Sequence, residues 1–326
     1  MNEVIPAKKN QVLTASSVVV PAVIGEQGDR AVKRYLEFFA AQIRNPNTRS
    51  AYARAARRLF DWCDENGIGQ LHDIEPIHIA AWVETRMKEA SAPTVKQELA
   101  GVRQLFSWLV VGQVIATNPA DNVRGPKHSV KVGKTPVLGS DEARALLQSI
   151  PTDTVGGLRD RALIATMTYT FARVSAAVKM DVKDVFIKKR RQWVRLHEKG
   201  GKEHEMPCHH TLEHYLLEYM EAAGISKEKP GPLFRTMDRR RQLTDNRLNR
   251  TEAWYMVKRR AAQAGIDTAI CNHTFRGTGL TAYLENPEAR LEHAQQMANH
   301  ADPKTTKIYD RRSDEVSLDE VERIGI

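Results

Sequence analysis

The chain has 326 residues, of which 41% are hydrophobic and 27% charged, a composition typical of a soluble protein with room for two domains. Its net charge of +9 favours a polyanionic partner, because neutralised phosphates provide most non-specific affinity for nucleic acid. No apolar run approaches the ~18 residues that span a bilayer, and three cysteines without CxxC spacing indicate a reducing cytosol rather than a disulfide framework.

Residues 1–28 predict a loosely ordered N-terminal arm. Lys8 and Lys9 precede an apolar run at 18–24, which is the order found in a signal peptide. Two serines directly precede that run, Pro21 interrupts it, and no clear cleavage box follows. We therefore expect a cytoplasmic protein with a flexible arm and no membrane partner.

Residues 29–116 predict a helical domain without strands, because apolar side chains recur at helical spacing in four segments. The segments are separated by helix-ending and helix-starting pairs: Asn45-Pro46, Asn66-Gly67, Glu75-Pro76 and Pro93-Thr94. One face of the second segment is basic, which predicts either phosphate contacts or a simply solvated surface. Its candidate DNA-binding residues are Arg49, Arg54, Arg57 and Arg58.

Residues 117–137 predict a linker, because they lack periodicity and collect Pro, Gly, Asn and Lys. A basic tether of this kind could follow a DNA backbone while two domains bind opposite sides of a duplex. Its candidate DNA-binding residues are Lys127, Lys131 and Lys134. A second basic run, further along the chain, consists of Arg239, Arg240 and Arg241.

Residues 138–326 predict a domain in which helices accompany short strands near 185–187, 193–197 and 205–207. The expected fold class is mainly α with a small antiparallel β-sheet, as an all-helical N-terminal domain followed by an α+β domain. Trp254 falls on an apolar stripe and is predicted to be a core residue. A histidine-rich stretch at 204–214 lacks the ligand spacing of a structural zinc site, so no metal is predicted.

Five polar residues point to phosphate chemistry. His273 and Arg276 lie at i, i+3, hence on one face of a helix, and His300 and Tyr309 follow them. Arg173 lies earlier, between apolar neighbours at a helix start, which favours an anion as its partner. Guanidiniums can bind the non-bridging oxygens of a phosphodiester, and a phenol beside an imidazole can attack its phosphorus. The residues therefore predict a phosphate-directed site whose nucleophile is a tyrosine.

Four motifs together resemble the tyrosine recombinase (phage integrase) family over residues 29–312. They are, in chain order, ARVSAAVKM, EKGGKEHEMP, HTFRGTG and MANHADPKTTKIYDRR. The resemblance implies a site-specific recombinase that breaks and rejoins DNA through a 3′-phosphotyrosine, without metal, cofactor or ATP. It implies a SAM-like core-binding domain at 29–116 and a catalytic domain at 138–326. The catalytic residues that it implies are Arg173, Lys199 (with Lys202 as the alternative), His273, Arg276, His300 and the nucleophile Tyr309.

The resemblance also implies the partners of the chain. They are double-stranded DNA with a specific recombination site and further copies of the chain, as a homotetramer on two duplexes. Val316, Val321 and Ile324 predict a short C-terminal helix, which would dock on a neighbouring subunit or fold back on its own domain. The alternatives are a type IB topoisomerase-like nicking–closing enzyme and a non-catalytic DNA-binding protein of the same fold.

The chain departs from the family pattern at three positions. Ala172 stands where many relatives have Gly, Ala176 where many have an acidic residue, and Gly277 where His is common. None of these departures removes a catalytic group. The missing carboxylate at 176 leaves open which residue supports the first arginine of the site.

Overall fold

The computed structural model describes residues 19–128, 135–198, 201–227, 230–310 and 321–322. The chain divides into two compact units, Met1–Ser129 and Val130–Ile326, each with its own apolar core. Within the described residues, the first unit is all-helical and the second combines helices with two small antiparallel sheets. These features confirm the predicted fold class. None of the helices in the described ranges is both long and apolar enough to cross a bilayer.

The first unit consists of helices whose apolar stripes meet in one core. They are α1 (Ala22–Gly25), α2 (Asp29–Glu37), α3 (Pro46–Glu65), α4 (Pro76–Glu89) and α5 (Ala92–Val111), with a π-helical turn at Phe38–Gln42 and a 3-10 turn at Leu71–Asp73. Phe60 on α3, Trp82 on α4 and Phe106 on α5 are buried in this core. Of the predicted arm, residues 1–18 lie outside the described residues, whereas α1 buries Val23 and Ile24 in the same core.

Helix α3 begins at the signal that the sequence contains. The Asn45 side chain accepts hydrogen bonds from the backbone N–H groups of Asn47, at 2.9 Å, and Thr48, at 3.3 Å. Pro46 follows at the first helical position, where its missing N–H is harmless. The buried face of α3 consists of Ala55, Ala56, Leu59, Phe60 and Cys63. The candidate arginines therefore lie on the other faces of the helix.

The second unit contains the other helices and both sheets. The helices are α6 (Ser140–Ser149), α7 (Val155–Tyr169), α8 (Val174–Ala177), α9 (His210–Ala222), α10 (Arg250–Gln263), α11 (Asn272–Leu284), α12 (Leu291–Met297) and α13 (Pro303–Lys307). The first sheet has the order β1 (Val185–Lys188), β2 (Arg191–His197), β3 (Glu203–Pro207), and β4 (Arg235–Met237) pairs with β5 (Leu243–Arg247). Helix α7 is buried along most of its length, as its apolar composition predicts.

Helices α7 and α11 pack closely because a glycine lets their backbones approach. A Cβ atom on Gly279 would lie 2.0 Å from the carbonyl oxygen of Thr168. Just after α7, Phe171 adopts a left-handed backbone conformation with φ 51°, and Arg173 then occupies the N-cap of α8. This arrangement places the segment before Arg173 against the helix that carries the His-x-x-Arg motif.

The prediction that Trp254 is a core residue was wrong. Its side chain is 39% exposed, and its ring contacts the exposed Tyr255 edge-on, with centroids 4.9 Å apart. The buried stripe of α10 consists of Ala253, Met256, Val257, Arg260 and Ala261. Successive helical residues are rotated by about 100°, which places residue 254 at the edge of this stripe, beside the exposed face of the helix.

Candidate active site

Arg276 on α11 is the most buried charged group of the site, at 1% exposure. Its Nη1 donates to the carbonyl of Phe171, and its Nη2 donates to the carbonyl of Ala298 at 2.7 Å. Its Nε is buried and has no hydrogen-bond partner among the described residues. Burial, followed by the charge of Arg173, lowers the pKa of Arg276 to about 10. A buried cation held by neutral acceptors, with its Nε–H unused, is suited to binding an anion.

His300 also contacts Arg276, at the same nitrogen that donates to Ala298. Arg276 Nη2 lies 2.5 Å from His300 Nε2, and because a guanidinium only donates, Nε2 accepts and the ring proton is on Nδ1. Nδ1 then donates to the hydroxyl of Thr306 at 2.9 Å. Burial, and then the charges of Arg276 and Arg173, lower the pKa of His300 to about 3. The ring is therefore neutral near pH 7, which lets it accept from the guanidinium.

Tyr309 and His273 make the contact expected of a nucleophile and its base. Tyr309 Oη lies 2.8 Å from His273 Nε2, although the two residues are 36 positions apart. Burial, and then the charges of Arg276 and Arg173, lower the pKa of His273, which keeps the imidazole neutral and able to accept a proton. Burial raises the pKa of Tyr309 against the opposing effect of the same arginines, so the phenol is protonated near neutrality.

The segment that carries Tyr309 packs on its own unit. The tyrosine is 6% exposed, and its ring belongs to an apolar cluster with Phe171, Leu280, Leu284, Ala294 and Ala298. Asp302 caps α13 by accepting from the Lys304 N–H at 2.9 Å, and the Thr281 hydroxyl donates to the Tyr309 carbonyl at 3.4 Å. These contacts place the phenol beside an imidazole of the same chain.

Arg173 is more open than Arg276, with 41% of its side chain exposed. Its Nη1 donates to Oε2 of Glu198 at 2.9 Å. Glu198 is 8% exposed and directly follows β2, so the carboxylate comes from the sheet rather than from α8. Sequence reasoning did not single out Glu198. The available signal was an acidic residue directly before the Lys-Gly-Gly-Lys turn.

Of the two hairpin lysines, Lys202 lies within the described residues and Lys199 does not. Lys199 lies outside the described residues, so its assignment as general acid stays a prediction. Lys202 is exposed, and its carbonyl accepts from the N–H of Glu198 at 2.8 Å, which closes the β2–β3 hairpin. Glu198 therefore both binds Arg173 and directly precedes the Lys-Gly-Gly-Lys stretch of the sequence.

The site carries an excess of positive charge. Arg173 and Arg276 are cations, Glu198 is the carboxylate paired with the first of them, and burial keeps both imidazoles neutral. One positive charge therefore remains uncompensated within this group. A single phosphodiester, which carries one negative charge, would neutralise it.

The structure shows what surrounds two of the positions, 176 and 277, at which the chain departs from the family pattern. Ala176 is 1% exposed, and the carboxylate that contacts Arg173 comes from Glu198 instead. A Cβ atom on Gly277 would lie 2.8 Å from Val137 Cγ1 and 3.4 Å from the Tyr309 ring. A larger residue at 277 would therefore displace the Tyr309 ring or the Val137 side chain.

The candidate DNA-binding arginines of α3 fall into two groups. Arg49 donates to a backbone carbonyl of the preceding turn at 2.9 Å, and Arg58 pairs with the buried Glu98. Arg54 and Arg57 are exposed, the latter beside an aspartate on the next turn of the helix. The second pair is therefore freer to meet a phosphate than the first.

The other candidate DNA-binding residues lie in loops. Residues 239–241 form the exposed turn between β4 and β5, where the backbone N–H groups of Arg240 and Gln242 donate to the Asp238 side chain. Lys127 is exposed, while Lys131 and Lys134 lie outside the described residues. Their role in binding DNA stays a prediction.

The histidine-rich stretch at 204–214 does not gather into a metal site. Across the ranges that the structure describes, no three His, Cys, Asp or Glu side chains come together in a way that could hold a metal ion. The His209 ring instead stacks on Tyr169, with centroids 4.4 Å apart, and burial lowers its pKa.

Two family models match the chain. Residues 136–315 match the model described as the phage integrase family, and residues 32–112 match the phage integrase N-terminal SAM-like domain. The first match covers more than half of the chain, and its range contains all six residues that the motifs single out as catalytic.

Curated relatives and solved structures are similar over most of the chain. The tyrosine recombinase XerD of Corynebacterium glutamicum is 29% identical over 274 residues, covering 81% of this chain and 86% of the relative. XerD of Staphylococcus aureus is 26% identical over 283 residues, covering 85% and 92%.

Among solved structures, a lambda integrase dimer bound to a COC′ core site superposes with a TM-score of 0.68 at 17% identity, covering 88% of this chain and 79% of that chain. The XerH site-specific recombinase bound to palindromic difH substrate, in a post-cleavage complex, gives 0.65 at 18% identity, covering 84% and 78%. A lambda integrase tetramer bound to a Holliday junction gives 0.65 at 18% identity, covering 96% and 86%. At these identities the likeness concerns the fold.

Proposed function

Because the chain belongs to the phage integrase family of tyrosine recombinases, we propose that it cleaves and rejoins DNA at a specific site through a 3′-phosphotyrosine on Tyr309. The family models confirm the family predicted from the motifs, and the relatives named tyrosine recombinase confirm the enzyme class. The observation that carries the proposal is the 2.8 Å contact between Tyr309 Oη and His273 Nε2, beside two guanidiniums.

In the proposed cleavage step, Tyr309 Oη attacks the scissile phosphorus while its proton passes to His273 Nε2. A bond forms between phosphorus and the phenolic oxygen, and the bond to the 5′-oxygen of the next nucleotide breaks. That oxygen takes a proton from the ammonium of Lys199, with Lys202 as the alternative donor. The phosphotyrosine keeps the energy of the broken bond, so a 5′-hydroxyl of another strand can reverse the step without ATP.

The two arginines support this step by binding the non-bridging oxygens of the phosphate. The pentavalent transition state carries more charge on these oxygens than the substrate does, so the guanidiniums bind it more tightly. The buried Nε–H of Arg276 lacks an acceptor among the described residues, which supports its assignment to an incoming anion. Removal of one such donor typically slows the chemical step by about 10² to 10³-fold.

We propose double-stranded DNA with a specific recombination site as the substrate. The net charge of +9 and the exposed residues Arg54, Arg57, Lys127 and 239–241 support contact with the phosphate backbone. By analogy with the lambda integrase tetramer, the chain would act as a homotetramer on two duplexes, with its C-terminal residues docked on a neighbouring subunit or on their own unit. The reaction would take place in the cytoplasm, at the bacterial nucleoid.

A nicked suicide substrate tests the nucleophile. The cleavage site is first mapped on DNA that flanks the coding sequence, and a nick is then placed next to it, so that the short product diffuses away and the adduct accumulates. We expect a covalent protein–DNA adduct from the wild type in EDTA and none from Tyr309→Phe. Tyr255→Phe is the matched control, because Tyr255 is 62% exposed on α10 and should keep the adduct. An adduct from Tyr309→Phe, or a strict metal requirement, would refute the proposed mechanism.

Mixing two labelled duplexes that carry the mapped site separates recombination from simple relaxation. We expect recombinant joints between the two duplexes. Relaxation of supercoiled DNA without joints would favour the type IB topoisomerase-like alternative, and binding without any adduct would favour a non-catalytic DNA-binding protein.

A substrate with sulfur in place of the bridging 5′-oxygen tests the general acid. A thiolate leaves without needing a proton, so a variant that lacks only the acid should cleave this substrate well. We expect Lys199→Ala to be slow on the oxygen substrate and close to wild type on the sulfur substrate, and Lys202→Ala to be close to wild type on both. If Lys202→Ala is instead the variant that only the sulfur substrate rescues, the general acid is Lys202.

A further inference from the structure

Glu198 stands out among the polar residues of the site because none of the steps proposed above uses it. Its side chain is buried, and Oε2 accepts from Arg173 Nη1 at 2.9 Å. A carboxylate is removed from water only at a considerable free-energy penalty, which a hydrogen-bonded cation offsets. Arg173, in contrast, is half-exposed, and water could solvate its guanidinium if Glu198 were absent.

The backbone of Glu198 is also fixed. Its N–H donates to the Lys202 carbonyl at 2.8 Å, and the preceding residue ends the strand β2, which is paired with β3. The carboxylate is therefore presented by a sheet, and not by a side chain on a free loop. An acceptor held in this way can hold the guanidinium of Arg173 in one orientation.

We propose that Glu198 is a positioning residue that orients Arg173 for the scissile phosphate. A guanidinium is a planar fork, so a hydrogen bond that fixes Nη1 at one edge also fixes where the remaining N–H groups point. These remaining donors would face the non-bridging oxygens. Ala176, on α8 itself, offers no carboxylate for this purpose, so the sheet provides the support that the helix lacks. This inference rests on the proposed function of the site.

The first test is single-turnover cleavage by Glu198→Gln, which keeps the size of the side chain and removes its charge. A small misplacement of a catalytic group can slow a reaction by about a hundredfold, so we expect cleavage to slow by about ten- to a hundredfold. The affinity for the uncleaved DNA should change by less than about threefold, because many other phosphate contacts remain. Glu205→Gln is the matched control: Glu205 pairs with Arg195 on the same sheet, and this variant should cleave as the wild type does.

The second test asks whether Glu198 acts through Arg173. In the Arg173→Lys background the guanidinium is gone, so Glu198→Gln should add less than about a threefold further loss. On the sulfur-substituted DNA described above, the defect of Glu198→Gln should persist, because sulfur replaces the need for a general acid and not the need for Arg173. A purely structural role would give losses that multiply in the double variant.

The outcomes separate this inference from the proposed function. Glu198→Gln with wild-type cleavage, full multiplication of the two defects, or relief by sulfur would each overturn the positioning role while Tyr309 still forms an adduct. Absence of a Tyr309 adduct in the wild type would overturn the proposed function itself. If Glu198→Gln does not fold, Glu198→Asp, which keeps the charge, takes its place in the same double-variant comparison with the same expected and contradicting results.

Discussion

Arg276 and Arg173, which we propose bind one phosphate, are held in unlike ways. Arg276 is 1% exposed and is bound by two backbone carbonyls and a neutral imidazole. Arg173 has 41% of its side chain exposed and is bound by a carboxylate. Neutral acceptors leave the full charge of the first guanidinium available, whereas Glu198 compensates part of the charge of the second.

The difference indicates a division of labour within one site. The carbonyls of Phe171 and Ala298 and the imidazole of His300 hold Arg276 in place, and burial lowers the pKa of its guanidinium to about 10. Arg173 is half-exposed, and the buried carboxylate that binds it lies at the base of a hairpin. A fixed buried cation is suited to transition-state charge, and an open one is suited to receiving the substrate.

The largest expected effect comes from replacing each arginine by lysine. An ammonium cannot reproduce the planar fork, so Arg276→Lys should lose its contacts to Phe171 and Ala298 together. We expect single-turnover cleavage to slow by about 10³-fold in Arg276→Lys and by about 10²-fold in Arg173→Lys. Equal losses, or a larger loss at Arg173, would contradict the division of labour.

The buried groups around Arg276, which include His300, should also affect the stability of the protein at acid pH. His300 has a pKa of about 3 in the folded protein, below its unfolded value near 6.5, so the unfolded chain binds more protons between these values. Its contribution to the free energy of unfolding is complete above about pH 6.5 and falls by at most about 1.4 kcal/mol per pH unit toward pH 3.

Urea unfolding between pH 7 and pH 4 measures this dependence. We expect the free energy of unfolding of His300→Gln to fall less steeply with decreasing pH than that of the wild type. The difference in slope should correspond to at most one bound proton. Identical slopes for the two proteins would show that His300 is not kept neutral by the fold.

The pH dependence of cleavage tests the base. Burial and two arginines lower the pKa of His273, so the rate should fall only below pH 6.5, by about tenfold per pH unit once the imidazole is protonated. Single-turnover rates with saturating DNA, measured as a function of pH, would show this fall. His273→Gln should cleave slowly and should not show the fall. A midpoint above 6.5 in the wild type would argue against a neutral, desolvated base.

The smallest effect should come from Thr306, which is not part of the proposed chemistry. Thr306→Val keeps the shape of the side chain and removes the acceptor of the His300 Nδ1–H. An unpaired buried donor destabilises a protein by about 1–3 kcal/mol, and cleavage should slow only a few-fold. Thr306→Ser keeps the hydroxyl and should retain most of both properties. A loss as large as that of Arg276→Lys would assign Thr306 a direct catalytic role.

Much of the fold could be predicted from local signals. Apolar periodicity indicated the long helices, and Asn45-Pro46 marked the start of α3. The error at Trp254 arose because the residue lies at the edge of the buried stripe of α10, where only packing against the rest of the unit decides whether a side chain is covered. The short helix α1 carries too few residues for a periodic signal.

The site was predictable where residue type and spacing carry the chemistry. His273 and Arg276 lie on one helix, as their i, i+3 spacing predicts. The groups that hold them were not predictable in this way. The carbonyl of Phe171 has no side-chain signature, and Glu198 comes to Arg173 through the pairing of β2 and β3. Such contacts depend on tertiary distances that no sequence spacing records.

Tyr309 lies against the imidazole and the apolar cluster of its own chain, with α13 capped and packed there. If the proposed function holds, each copy of the chain would take its nucleophile, base and buried arginine from one polypeptide. Two inactive proteins, one lacking the phenol and the other lacking Arg276, would therefore not complement each other when mixed.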